Sequence, residues 1–132
     1  MQHSELTGTI IQKAIELHQT LGPGQTPARY AKELVAVLRD ADLSLRDAGL
    51  TLRQRVKAWQ QAGERWHLVG TLDLVVGDLV GVSVTTRNSP PGDRQRGHLR
   101  RMVVQAHGLP VGLALNFGPY KVSIGRVDER GK

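Results

Sequence analysis

Leu6, Ile10, Ala14, Leu17 and Leu21 recur every three or four positions, the spacing that lays one apolar stripe along an amphipathic helix. The pattern predicts a helix from about Ser4, a residue type that caps helix N-termini, to Leu21, where Gly22-Pro23-Gly24 stops it. A second helix is expected from Thr26-Pro27, since threonine caps and proline fits the first helical position; Tyr30, Leu34, Val37 and Leu38 form its stripe. Beyond residue 50 the period shortens to two. Arg53, Arg55 and Lys57 alternate with Gln54, Val56 and Ala58, as one face of a strand does. From Glu64 to Arg87, two runs rich in Val, Leu and Thr meet at Gly77-Asp78, a hairpin signal. Asn88 to Gly92 reads as a loop. Asp93 to His107 reads as a helix with Leu99, Met102, Val103 and Ala106 on one side and Arg94, His98, Arg101 and Gln105 on another. Gly108 ends it; Val111 to Phe117 and Lys121 to Val127 are the last strands, and the polar tail 128–132 is expected to fray.

The predicted order is helix, helix, about three strands, helix, two strands. It describes one domain of α/β class in the α+β range, with a central mixed sheet of four to five strands flanked by three helices. Residues 41–54 hold a near repeat, ADLSLRD then AGLTLRQ. Two copies are too few for a solenoid, so the repeat reads as a lengthened connection or a strand of alternative register.

Composition adds a bias rather than an identity. The 132 residues carry 18 Lys and Arg against 12 Asp and Glu, a formal charge of +6, which favours a polyanionic partner. There is no cysteine, which excludes disulfides and cysteine-ligated zinc and suits a cytoplasmic setting. No apolar run approaches the roughly 20 residues that cross a bilayer, the N-terminus lacks an apolar signal segment, and no membrane partner is expected. Five aromatic residues argue against a single-strand binder built on stacked bases.

Candidate chemistry centres on Asp73, an acid between Leu72 and Leu74. An unpaired carboxylate among aliphatic side chains is costly, so this one either leaves the sheet or has a specific partner. On the following strand Ser83 and Thr85 share a face, with Val82 and Val84 on the other. Standard catalytic signatures are missing. Gly22-Pro23-Gly24 lacks the Lys-Ser/Thr of a phosphate loop, no serine sits in a nucleophile elbow, and the five histidines form no i, i+4 metal pair with an adjacent Glu.

The run LTGTIIQKAIELHQTLGPG, then Tyr30, GTLDLVV around Asp73 and GLPVGLALNFG resembles the GxxExxY family of small bacterial proteins, itself similar to the PD-(D/E)XK nuclease superfamily. The match spans nearly the whole chain in order. The resemblance implies a nuclease-like core in which a strand Asp and the Glu of a Glu-x-Lys pair on the next strand bind Mg²⁺ and orient water, often helped by a helix Glu. Here Asp73 is kept, Ser83 and Thr85 stand where the Glu and Lys would be, and Pro27 replaces the helix Glu between Gly24 and Tyr30. Leu99 and Val103 replace a Gln and a Tyr of the later helix. Glu16 is an alternative acid.

Two neutral hydroxyls are weak magnesium ligands, and losing one general acid or base costs about a hundredfold to ten-thousandfold in rate. The resemblance therefore implies a pseudoenzyme, with Asp73 vestigial and the sole metal ligand if any. No cofactor is expected, Mg²⁺ entering only if nuclease activity survives. Arg53, Arg55, Lys57, Arg94 and Arg101 are the expected contacts to DNA or RNA phosphates. Two alternatives stand beside it: an assembly module that binds itself or another protein, and an active nuclease with a migrated site.

Overall fold

The computed structural model describes residues 3–41 and 51–130. The chain runs α1 (His3–Leu21), α2 (Pro27–Ala41), β1 (Leu52–Ala62), β2 (Arg65–Val76), β3 (Val80–Thr85), α3 (Asp93–Arg100), β4 (Val111–Phe117) and β5 (Val122–Asp128). Directly after α3 comes a π-helical segment, Arg101–Ala106. The near repeat of residues 41–54 falls largely outside the described residues.

Among the described residues, five strands form one sheet in the order β1-β2-β3-β4-β5. Every pairing is antiparallel except β3 with β4, which α3 connects as a crossover. Gly77 (φ 61°) and Asp78 (φ 54°) make the β2–β3 turn, with both central residues at positive φ as a type I′ turn requires. Thr26 Oγ1 accepts the Arg29 N–H at 3.2 Å and caps α2 as expected.

Helices α1 and α2 cover one face of the sheet. Leu6, Ile10, Ala14 and Leu17, with Tyr30, Leu34, Val35 and Leu38, pack on Leu74, Val76, Val82, Val84, Leu113, Leu115 and Phe117. On the other face Leu99, Met102 and Val103 pack on Ala58, Leu72, Val75, Ala114 and Val127. Gly112 makes that second contact close: a Cβ there would lie 2.8 Å from Val127 Cγ2 and 2.9 Å from Val103 Cγ2. Gly112→Ala is accordingly expected to destabilise the fold by about 1–2 kcal/mol through overpacking, read as a lower urea midpoint at unchanged m-value.

The hairpin β1–β2 changes face midway. Leu52 and its partner Val76 belong to the α1/α2 core, whereas Val56 and its partner Leu72, an even number of residues away, belong to the α3 core. Even spacing would keep each pair on one face, so both strands cross over between these levels. The crossing falls at Arg55, whose φ is 52°, and at Asp73 opposite it. Because both strands switch together, pairing keeps one register from Leu52 to Ala58 and shifts only at the bulge between Ala58 and Trp59.

Two expectations are corrected. The third helix does not stay α-helical to His107; its last turns are π-helical, which redistributes its side chains around the axis. The final strand ends at Asp128; Glu129 N–H donates to Pro110 O at 3.1 Å, and Arg100 donates to the carbonyls of Asp128 and Glu129. The β1–β2 turn lies at Gly63-Glu64, so β1 runs on to Ala62, past the alternation of residues 53–58 that marked it in the sequence. Among the described residues no helix is long and apolar enough to cross a membrane.

Candidate functional site

Asp73 sits where β2 leaves β3. Their ladder pairs Val76 with Val80, Val75 with Gly81 and Leu74 with Val82, and stops there. One step further the Asp73 carboxylate takes the place of a backbone carbonyl: its Oδ2 accepts the Val84 N–H at 2.7 Å. The half-buried acid thus has the specific partner its apolar neighbours called for. Burial raises its pKa from an ordinary value near 3.8, outweighing the Val84 N–H and the Arg55 charge, both of which pull it down.

Ser83 and Thr85 project from β3 toward α3, on the opposite face from Val82 and Val84. They line a cavity of about 340 Å³ together with Arg87, Arg94, Gln95, His98, Leu99, Met102 and Ala114. Asn116 organises its mouth. Almost fully buried near the end of β4, it accepts the Arg87 N–H at 2.7 Å and the Thr85 hydroxyl at 2.8 Å, and donates to Arg87 O at 2.8 Å and Ser89 O at 3.2 Å. The segment carrying Arg87 is thereby fixed over the cavity. The chemistry offered is the Ser83 hydroxyl, two guanidinium groups, an imidazole and a carboxamide beside the apolar side chains of Leu99, Met102 and Ala114, with the Thr85 hydroxyl already given to Asn116; the donors suit an oxyanion.

The predicted basic residues do not form one track. Arg94 lines the cavity, and the charge of Arg55 acts on Asp73. Arg53 instead pairs with Asp78 at 2.8 Å, and Arg101 donates to Gln60 Oε1 at 3.2 Å. Lys57 is exposed, its carbonyl 2.8 Å from His107 Nε2. Pro27 is exposed at the start of α2 and is not among the residues around the cavity. Glu16 faces solvent, bonded to Gln12 at 3.2 Å and Lys13 at 3.4 Å, which lower its pKa in that order. Tyr30 has a structural part: its hydroxyl donates to Gly22 O at 2.6 Å and its ring stacks on Phe117 at 4.2 Å.

Sequence reasoning missed Arg87 and Gln95 as cavity residues, and Asn116 as their organiser. For Asn116 a signal existed, a lone carboxamide in the apolar run VGLALNF that burial would force to find partners.

The donor set does not fit the divalent cation that the nuclease resemblance implies. Asp73 already accepts from Val84, Ser83 and Thr85 are neutral, and among the described residues no three His, Asp or Glu side chains are grouped to hold a metal ion. No family model matches the sequence, and no curated protein sequence matches it significantly. Among solved structures the chain is similar to SSO0001, at 13% identity over 94% of this chain and 78% of that one, with a TM-score of 0.48.

Proposed function

We propose that this chain is a pseudoenzyme with a PD-(D/E)XK-like core that binds the phosphodiester backbone of a nucleic acid without cutting it. The observation carrying the reading is the cavity, which gathers Arg87, Arg94 and His98 around Ser83 and Thr85. Support for the core comes from the element order, from Asp73 at the point where two strands diverge, and from Ser83 and Thr85 facing the crossover helix. The Ser83 hydroxyl and the guanidinium groups can donate to a phosphate oxygen without any metal, while the Thr85 hydroxyl is committed to Asn116. Replacing a Glu and a Lys by Ser and Thr removes the second ligand and the water-activating amine, so the geometry retains recognition and loses cleavage.

Anisotropy of a labelled duplex across a salt series tests the binding. Affinity is expected to fall linearly in log–log form, and Arg87→Gln with Arg94→Gln to flatten the slope by about one per arginine. Binding indifferent to salt, or unchanged in the double variant, would overturn the cavity assignment. Plasmid incubated with Mg²⁺ or Mn²⁺ is expected to stay intact; nicking that Asp73→Ala abolishes would restore the active-nuclease reading.

A further inference from the structure

The β1–β2 hairpin has one face clamped and one face open. On the clamped face, Ala58 and Val69 pack against the π-helical side, and Arg101 reaches Gln60. On the open face lie Trp59, 46% exposed, its strand partner Leu68, 46% exposed, and Trp66, 62% exposed. Trp59 and Leu68 pair directly and Trp66 pairs with Gln61, two residues along from Trp59, so period two puts all three on one surface. Lys57 continues that surface toward the base of the hairpin.

Two indole rings held on a rigid ribbon are an expensive surface to leave in water, and they mark a docking site. The choice of occupant follows from charge. Along β1 the open face and the crossing beneath it carry Lys57 and Arg55; Arg53 is already paired with Asp78 at 2.8 Å, Arg65 takes the opposite face from its neighbour Trp66, and the Asp73 carboxylate is turned into the Val84 N–H. Pairing of two copies through the open edge of β1 is opposed by those cations and by the left-handed kink at Arg55. A flexible polyanion with flat apolar groups satisfies both halves of the surface: the bases stack on the indoles and the phosphates meet the cations.

We infer that the open face of this hairpin is a stacking platform for an unpaired nucleic-acid strand. The inference rests on the reading that the chain binds nucleic acid, and it names the strandedness. It also reverses the expectation drawn from the low aromatic count: both tryptophans of the chain stand on one exposed surface.

Since both tryptophans of the chain stand here, its tryptophan fluorescence, excited at a wavelength that spares Tyr30 and Tyr120, reports on this face alone. Titration with oligo(dT) of about 15 nucleotides, near the upper end of known site sizes, is expected to quench it. Trp66→Ala should weaken oligo(dT) binding by about tenfold, Trp66→Phe should retain most of the affinity, and duplex binding should be unchanged in both. Exposed as they are, these residues can be changed with little effect on the melting temperature, which checks that the variants fold. Oligo(dT) that binds without quenching, or Trp66→Ala that binds it normally, would overturn the inference. So would sedimentation showing that the tryptophan variants only dissociate a dimer. If the tryptophan variants are silent while Arg87→Gln and Arg94→Gln weaken duplex binding, the platform fails and the cavity reading survives. If oligo(dT) binding depends on the tryptophans and those arginines are silent, the cavity reading fails and the platform stands. Absence of binding to any strand ends both.

Discussion

Phe117→Ala is expected to lower the unfolding free energy by about 3–5 kcal/mol, the loss typical of truncating a buried aromatic side chain. Phe117 is 2% exposed and closes the α1/α2 core at the end of β4. Its ring stacks on Tyr30 with centroids 4.2 Å apart and planes 10° from parallel, and His18 lies 6.1 Å away. The Tyr30 hydroxyl in turn holds Gly22 O, and His18 Nε2 is 2.8 Å from Gly118 O. Removing the ring therefore empties a volume and loosens the ties among α1, α2 and the sheet. Phe117→Leu should recover more than half of the loss, because it refills most of that volume without the stacking. Urea denaturation of both variants decides it. A loss below about 1 kcal/mol for the alanine variant would show that the helical layer does not depend on this contact.

At pH 7, Asp73→Asn is expected to be at least as stable as the parent, and Asp73→Ala to lose about 1–3 kcal/mol. The carbonyl oxygen of asparagine can still accept the Val84 N–H, whereas alanine leaves that donor unpaired. Asparagine also removes a charge that burial disfavours. The sign follows from linkage: with its pKa raised, the folded carboxyl holds its proton more tightly than the unfolded one. The stability gained from that proton is complete below the unfolded value near 3.8 and is lost as pH rises through the raised folded value. The advantage of Asp73→Asn should accordingly be greatest near neutrality and close as the pH approaches the unfolded value, measurable from urea midpoints at pH 7 and pH 4. Should asparagine cost as much as alanine at pH 7, the negative charge itself, and not merely an acceptor for the Val84 N–H, stabilises the fold at this position.

Much of the fold was legible because its signals are local. The stripe Leu6, Ile10, Ala14, Leu17, the cap and proline at Thr26-Pro27 and the turn at Gly77-Asp78 each act within a few residues, and each element stands where they put it. Asp73 was also readable, since an acid between leucines needs a partner; the identity of that partner, a backbone N–H eleven residues away, was not. The face change at Arg55 left no mark in the sequence because no glycine announces the positive φ. The cavity was hidden for a topological reason. Arg87 and Arg94 meet Ser83 only because β3 runs into a crossover helix that folds back over the sheet, and the π-helical turns after it bring Met102 to the cavity that Arg94 and His98 also line. Exposure of Trp59 and Trp66 likewise depends on how far the hairpin extends and on which of its faces the π-helical segment covers.

The paired face change at Arg55 and Asp73 makes the β1–β2 hairpin two structural modules sharing one pair of strands. Below the crossing, Leu52 and Val76 serve the α1/α2 core; above it, Val56, Ala58 and Val69 serve the α3 side. Shortening the ribbon by matched pairs from its Gly63-Glu64 end would trim the aromatic surface while leaving the lower module, and the cavity beside it, intact. The reach of the ribbon is thus an independent variable of the architecture, adjustable like the length of a finger without remaking the palm.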